Sequence, residues 1–124
     1  QTFAVDDPAT AISTMTITDV STTPTITDAN DIRIKIPSTF NMEWDISDTT
    51  ATIGGGAAGK VSTDVSYEDS NKTLVIDVTE NFAASDQITV SGLSFTNFSA
   101  GSVADNLELE TATSEISISE NLSV

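Results

Sequence analysis

Apolar and polar positions alternate along much of the chain with a period of two. In Asp31-Ile32-Arg33-Ile34-Lys35-Ile36 the isoleucines share one face, and Asp31, Arg33 and Lys35 share the other. That is the signature of a half-buried strand. Pro37 ends the run, because it has no N–H to give to a ladder. Thr73–Val78 repeats the pattern with Leu74, Ile76 and Val78 inward, and Val61, Thr63, Val65 and Tyr67 alternate ahead of it. Between the two runs lies the polar cluster Glu68-Asp69-Ser70-Asn71-Lys72, so residues 60–78 are predicted to form a β-hairpin.

Further strands are predicted on the same grounds. Gln87–Ser91 points Ile88 and Val90 inward; Gly92 breaks the run, and Leu93, Phe95 and Asn97 take up the next face. Asn106–Thr111 offers Leu107 and Leu109, and Glu115–Ser119 offers Ile116 and Ile118. Nearer the start, Thr2–Val5 and Ala11–Thr18 read as strands, the second with Ala11, Met15 and Ile17 on one face; Met42, Trp44 and Ile46 alternate as well. No segment carries sustained i, i+3, i+4, i+7 spacing, and Asn81–Asp86 is the one place suited to a helical turn. About nine short strands at intervals of roughly 8–12 residues predict an all-β antiparallel β-sandwich. Residues 1–124 are expected to form a single domain.

Composition narrows the chemistry. The chain has 124 residues with Lys+Arg 4, Asp+Glu 19, no His and no Cys, for a formal charge of −15. Without Cys there is no disulfide, thiolate nucleophile or Cys-type zinc site; without His there is no imidazole base and no Ser-His-Asp triad. Four cations cannot supply the clustered Lys/Arg that phosphate backbones require, so no nucleic-acid partner is expected. No apolar run is long enough to cross a bilayer as a helix, and no membrane insertion is expected. The chain holds 20 Thr and 16 Ser. A Thr/Ser/Asp-rich, Cys-free chain suits an extracellular, cell-surface protein better than a cytosolic enzyme. Starting at Gln1 with no charged n-region or apolar h-region, the sequence reads as a mature form or as a piece of a longer chain.

The stretches Asn30–Pro37, Phe40–Asp45, Lys72–Val78 and Asp86–Leu93 together resemble immunoglobulin-like β-sandwich repeat domains of large secreted bacterial surface proteins. The resemblance spans about residues 30–110 and contains no catalytic motif. It implies an immunoglobulin-like, Greek-key sandwich with a structural or adhesive role beside tandem neighbours. It transfers no functional residues.

Several local patterns are candidates for chemistry. Gly54-Gly55-Gly56-Ala57-Ala58-Gly59-Lys60-Val61 approaches a P-loop, but Val61 stands where magnesium binding needs Ser or Thr, and a strand follows in place of a helix. A flexible surface loop is the expected reading. Calcium takes six to eight oxygen ligands, and Asp28, Asn30 and Asp31 form the best cluster for it, ahead of Asp6-Asp7, Asp45 with Asp48, and Asp105 with Glu108. Asp and Asn are also favoured in turns for their hydrogen bonds to nearby backbone. Asn71, Asn97 and Asn121 head Asn-x-Ser/Thr sequons, and Asn71, in a hairpin turn, is the leading glycosylation candidate. Neither Lys35 nor Lys60 is a favourable candidate for a Lys–Asn cross-link, since Lys35 alternates outward and Lys60 borders the glycine run.

The N-terminus suggests assembly. Thr2-Phe3-Ala4-Val5 is a short apolar stretch followed by Asp6-Asp7-Pro8, a hinge-like turn. Within residues 1–20, such a strand can complete the sheet of a neighbouring subunit, with Phe3 and Val5 filling its pockets. Head-to-tail exchange of this kind builds an open filament. The expectation is a non-enzymatic extracellular structural protein: a homo-oligomeric filament subunit, or a repeat of a surface array or adhesin, needing no cofactor. The alternative is a module that uses calcium and acidic loops to bind a carbohydrate or a protein.

Overall fold

A computed structural model describes residues 1–111 and 114–122, with side chains described through Thr111. The strand segments are β1 (Thr10–Ala11), β2 (Met15–Thr18), β3 (Ile32–Lys35), β4 (Glu43–Trp44), β5 (Thr52–Gly54), β6 (Val61–Glu68), β7 (Thr73–Val78), β8 (Gln87–Ser91), β9 (Ser94–Thr96), β10 (Asp105–Thr111) and β11 (Ser114–Leu122). They form three antiparallel sheets, and the architecture is all-β and sandwich-like. The predicted strand at Thr2–Val5 reduces to a single bridge residue at Thr2, whereas β5 is a strand that period-two reading missed.

One sheet has the order β11-β10-β3-β7-β6. The predicted hairpin is its β6–β7 edge, with Tyr67 opposite Leu74 and Glu68 opposite Thr73. The turn uses Asp69, Ser70 and Asn71 with φ of 53°, 54° and 66°, a backbone that short polar side chains tolerate better than most. Ile32, Ile34, Leu74 and Ile76 point into the core and are fully buried. On the opposite face Val75 is also buried, next to the Arg33–Glu68 ion pair at 3.0 Å. The inward faces expected of Ile116 and Ile118 lie outside the residues whose side chains are described.

The other two sheets, β1-β9-β4 and β2-β8-β5, derive from one ladder. Eight residues separate Thr10 from Thr18, and eight separate their partners Phe95 and Gln87, so the pairing never loses register. The two strands instead change faces together. Val90 and Met15 are buried opposite each other, and so are Leu93 and Ile12 one step past the break. Gly92, at φ +76°, takes the left-handed backbone that this break requires. Ile12 thus takes the inward place expected of Ala11, which is exposed. On the far side the ladder does lose register: eight residues separate Trp44 from Thr52, but four separate Phe95 from Ser91. The excess loops out at Asp45, whose Oδ1 accepts from Ser47 N at 3.0 Å. Ile46, expected inward, is therefore 55% exposed.

The glycine run joins β5 to β6. Gly54 ends β5, Ala57 is buried and donates its N–H to Gln87 O at 3.0 Å, and Ala58–Lys60 makes a 3-10 turn. The run is a surface loop, as expected, with Gly56 and Gly59 exposed and Ala57 tied to the backbone of β8. At Asn81–Asp86 the chain makes a hydrogen-bonded turn (Asp86 N to Ala83 O, 3.1 Å) and no helix. Trp44 stacks obliquely on Phe95 with centroids 4.6 Å apart, and Phe40, Phe82 and Phe98 are buried with them.

Candidate functional site

Two ends of the sheets gather the loops. At one end meet residues 19–31, 55–60 and 79–86, tied by Asp19 N to Asp86 O, Phe82 N to Ile26 O and Thr79 N to Lys60 O. Asp19 is 4% exposed and fixes its loop from within, accepting from Val20 N, Thr25 N, Thr25 Oγ1 and Ile26 N. Lys60 joins the same end by donating to Asp86 Oδ2 at 2.8 Å and Asn81 O at 3.1 Å.

The calcium candidates sit here in one turn. Asp28 and Asn30 are exposed and Asp31 is half-buried. Asp28 N donates to Asn81 Oδ1, and Asn30 N to Thr27 O. Asp31 stands one rung past the Ile32–Ile76 pair, beside Asp77. Hydrogen bonding to Asp31 holds the Asp77 carboxyl above the usual carboxylate range, with repulsion between them in the same direction. Among the described residues no group of three or more Asp or Glu is placed to hold a metal ion.

The opposite end gathers the 4–7 turn, the 37–42 loop, the 69–72 hairpin turn and residues 97–102. Phe3 is inserted here, 4% exposed, stacked on Phe98 (4.9 Å, 20°) and edge-on to Phe95 (5.6 Å, 78°). The segment is held by Asp6 N to Phe98 O at 2.9 Å, and by the Gln1 side chain, which donates to Ala11 O and accepts from Ser13 N. Asp6 has φ +66°, and Asp7 Oδ2 closes the turn by accepting from Ala4 N at 2.7 Å. Val5, expected to fill a pocket alongside Phe3, is 46% exposed, so the two do not share a face of the core.

Beside Phe98 lies a polar cluster that the sequence did not single out. The Glu43 carboxylate accepts from Asn97 Nδ2 at 2.7 Å on one oxygen and from Asn71 Nδ2 at 3.3 Å on the other. Both asparagines have left-handed backbones, φ +60° and +66°. Lys72, next in sequence to Asn71, donates to Phe40 O at 2.7 Å and to Met42 O. Burial lowers the pKa of the Lys72 ammonium, and nearby Glu43 opposes that shift. A recess of about 290 Å³ opens over this cluster.

Both sequon asparagines whose side chains are described thus spend the amide nitrogen that would carry a glycan on Glu43. Thr73, the hydroxyl residue of the Asn71 sequon, is buried and donates to Asp69 Oδ2 at 2.7 Å. Each cation is engaged inside the molecule: Arg33 with Glu68, Lys35 with Glu110, Lys60 with Asp86, and Lys72 with backbone carbonyls. No helix among the described residues is long and apolar enough to cross a membrane. No family model, curated protein or solved structure matches the chain.

Proposed function

We propose that this chain is a non-enzymatic, extracellular structural module of the immunoglobulin-like Greek-key kind. It joins copies of itself, or tandem neighbours, into a filament or surface array by exchanging its N-terminal segment. The observation that carries this reading is the seating of Phe3. One aromatic ring is buried between Phe95 and Phe98, while residues 1–9 contain a bridge but no strand and turn back at the left-handed Asp6. A ring from another copy would make the same contacts in the same socket. Closed and exchanged forms then differ chiefly in the hinge and in concentration, the usual conditions for exchange. The internal pairing of the cations supports an acidic outer shell, which keeps such a module soluble and repels wrong partners.

A chain without cysteine permits a direct test. Val5 and Ser99 are exposed and flank the Asp6–Phe98 hydrogen bond. A Val5→Cys/Ser99→Cys variant treated with a short bismaleimide gives an intrachain adduct when the segment is closed and a ladder of linked chains when it is exchanged. The expected result is a ladder that grows with protein concentration and vanishes in Phe3→Ala. Intrachain adducts alone at every concentration, with no filaments by electron microscopy, would rule the reading out.

A further inference from the structure

The recess over Glu43 and Lys72 lies beside the Phe3 socket and shares Ser99 with its rim, but Phe3 itself is not part of its lining. Its lining includes Ser38, Asn41, Glu43, Lys72, Asn97 and Ser99, so it is rich in hydroxyl, amide and charged groups. The apolar members, Phe40 and Met42, are buried and offer no open ring face. Its volume of about 290 Å³ falls at the small end of ligand sites, room for a single sugar-sized molecule.

The polar groups are held in place before any ligand arrives. Glu43 is gripped on both oxygens by Asn97 and Asn71, and Lys72 is anchored by two backbone carbonyls. Groups locked in this way lose little entropy on binding. Some capacity remains unused: a carboxylate has about four acceptor positions and an ammonium three donors. The Ser38 hydroxyl is exposed and takes part in none of the hydrogen bonds described.

A fixed carboxylate beside a fixed ammonium disfavours a net ion of either sign, since whichever charge the ion pairs with, the other repels it. The arrangement suits a neutral molecule that both donates and accepts at closely spaced points. Adjacent hydroxyls of a sugar ring do this: one pair can donate to both oxygens of a carboxylate, while their lone pairs accept from an ammonium or amide. We infer that this recess is a binding site for one neutral pyranose, with Glu43 and Lys72 reading neighbouring ring hydroxyls and Ser38 contacting the rim.

With no aromatic platform, affinity should be weak, on the order of millimolar Kd. The test is a titration of the ¹⁵N-labelled chain, followed by amide chemical shifts, with glucose, galactose, mannose and N-acetylglucosamine, using open-chain sorbitol as control. The expected result is saturable shifts from at least one pyranose, confined to residues 38–43, 72 and 97–99. They should weaken about tenfold in Glu43→Gln and several-fold in Ser38→Ala, the second variant serving if the first disturbs the amide spectrum at large. Absence of shifts with all four sugars, equal shifts with sorbitol, or shifts unchanged in the folded variants would each overturn the proposal. None of these outcomes bears on Phe3 exchange.

Discussion

Gly55 lies against the backbone of Gln87 so closely that a methyl group on its α-carbon would stand 2.6 Å from the Gln87 carbonyl oxygen. Gly55 also has φ +89°, whereas a methyl on Gly56 or Gly59 would meet nothing within 4 Å. Gly55→Ala therefore combines a left-handed backbone with a backbone collision that no rotamer relieves, and should cost at least about 2 kcal/mol. Gly56→Ala and Gly59→Ala should fall within about 0.5 kcal/mol of the parent. Chemical denaturation of the three variants checks the contrast.

Asp19 carries the loop that follows β2. Asp19→Ala removes a carboxylate that accepts from three backbone N–H groups, including that of buried Ile26, and from a hydroxyl. Donors left buried without a partner cost more than the mean hydrogen bond contributes. The expected loss is about 3 kcal/mol, or roughly 10 °C in Tm for a domain of this size. Asp19→Asn should recover only part of this, because its NH₂ would face donors. Calorimetry on both variants tests the ranking.

Much of this architecture is legible in the sequence, and the parts that are not share a cause. Ile32-Arg33-Ile34-Lys35 declares its faces locally, since alternation within the strand sets which side is buried, and Leu74 and Ile76 follow the same period although Val75 is buried on the other face as well. Gly92 announces the face change in its own strand. Its counterpart between Ile12 and Met15 carries no glycine; it follows from pairing with β8 and β9, which single-strand reading cannot see. Ile46 fails for a similar reason, because Asp45 starts a loop-out defined by register against a distant strand. The Glu43–Asn97–Asn71–Lys72 cluster joins three segments through the β4–β9 pairing and the hairpin turn. Each residue alone reads as an ordinary polar turn or strand position. The one available signal was two sequon asparagines, and that pointed to glycans and away from Glu43.

Asp77 and Asp86 should respond to pH in opposite senses. The folded-state pKa of Asp77 is raised, first by hydrogen bonding to Asp31. Its contribution is fully present below the unfolded carboxylate pKa and is lost as pH rises through the folded value. The Asp86 pKa is lowered, first by the hydrogen bond from Lys60 and then by Ala83 N–H. Its contribution is present above the unfolded pKa and is lost as pH falls through the folded value. Asp77→Asn should thus raise Tm at pH 7 and change it little near pH 3, while Asp86→Asn should lower Tm at pH 7 and converge on the parent near pH 3. Melting curves across that range decide both; parallel shifts at all pH values would contradict the assignment.

The charge distribution yields a prediction about salt and calcium together. Arg33, Lys35 and Lys60 each pair with a carboxylate, and Lys72 is spent on carbonyls. The carboxylates outnumber the Lys and Arg side chains by 19 to 4, which leaves the chain a net charge of −15. Repulsion among exposed charges is screened over about 10 Å at 0.1 M salt. Tm, and the yield of any linked copies, should therefore rise as sodium chloride increases from very low ionic strength and level off once screening is complete. If calcium acts only as a screening ion, calcium and magnesium chlorides at matched ionic strength should give the same Tm. A specific site in the Asp28–Asp31 turn would instead add stability by mass action, growing as the logarithm of calcium concentration beyond its Kd. That excess should disappear in Asp31→Asn. Calorimetry in the two chlorides, with EDTA-treated protein as baseline, separates general screening from binding.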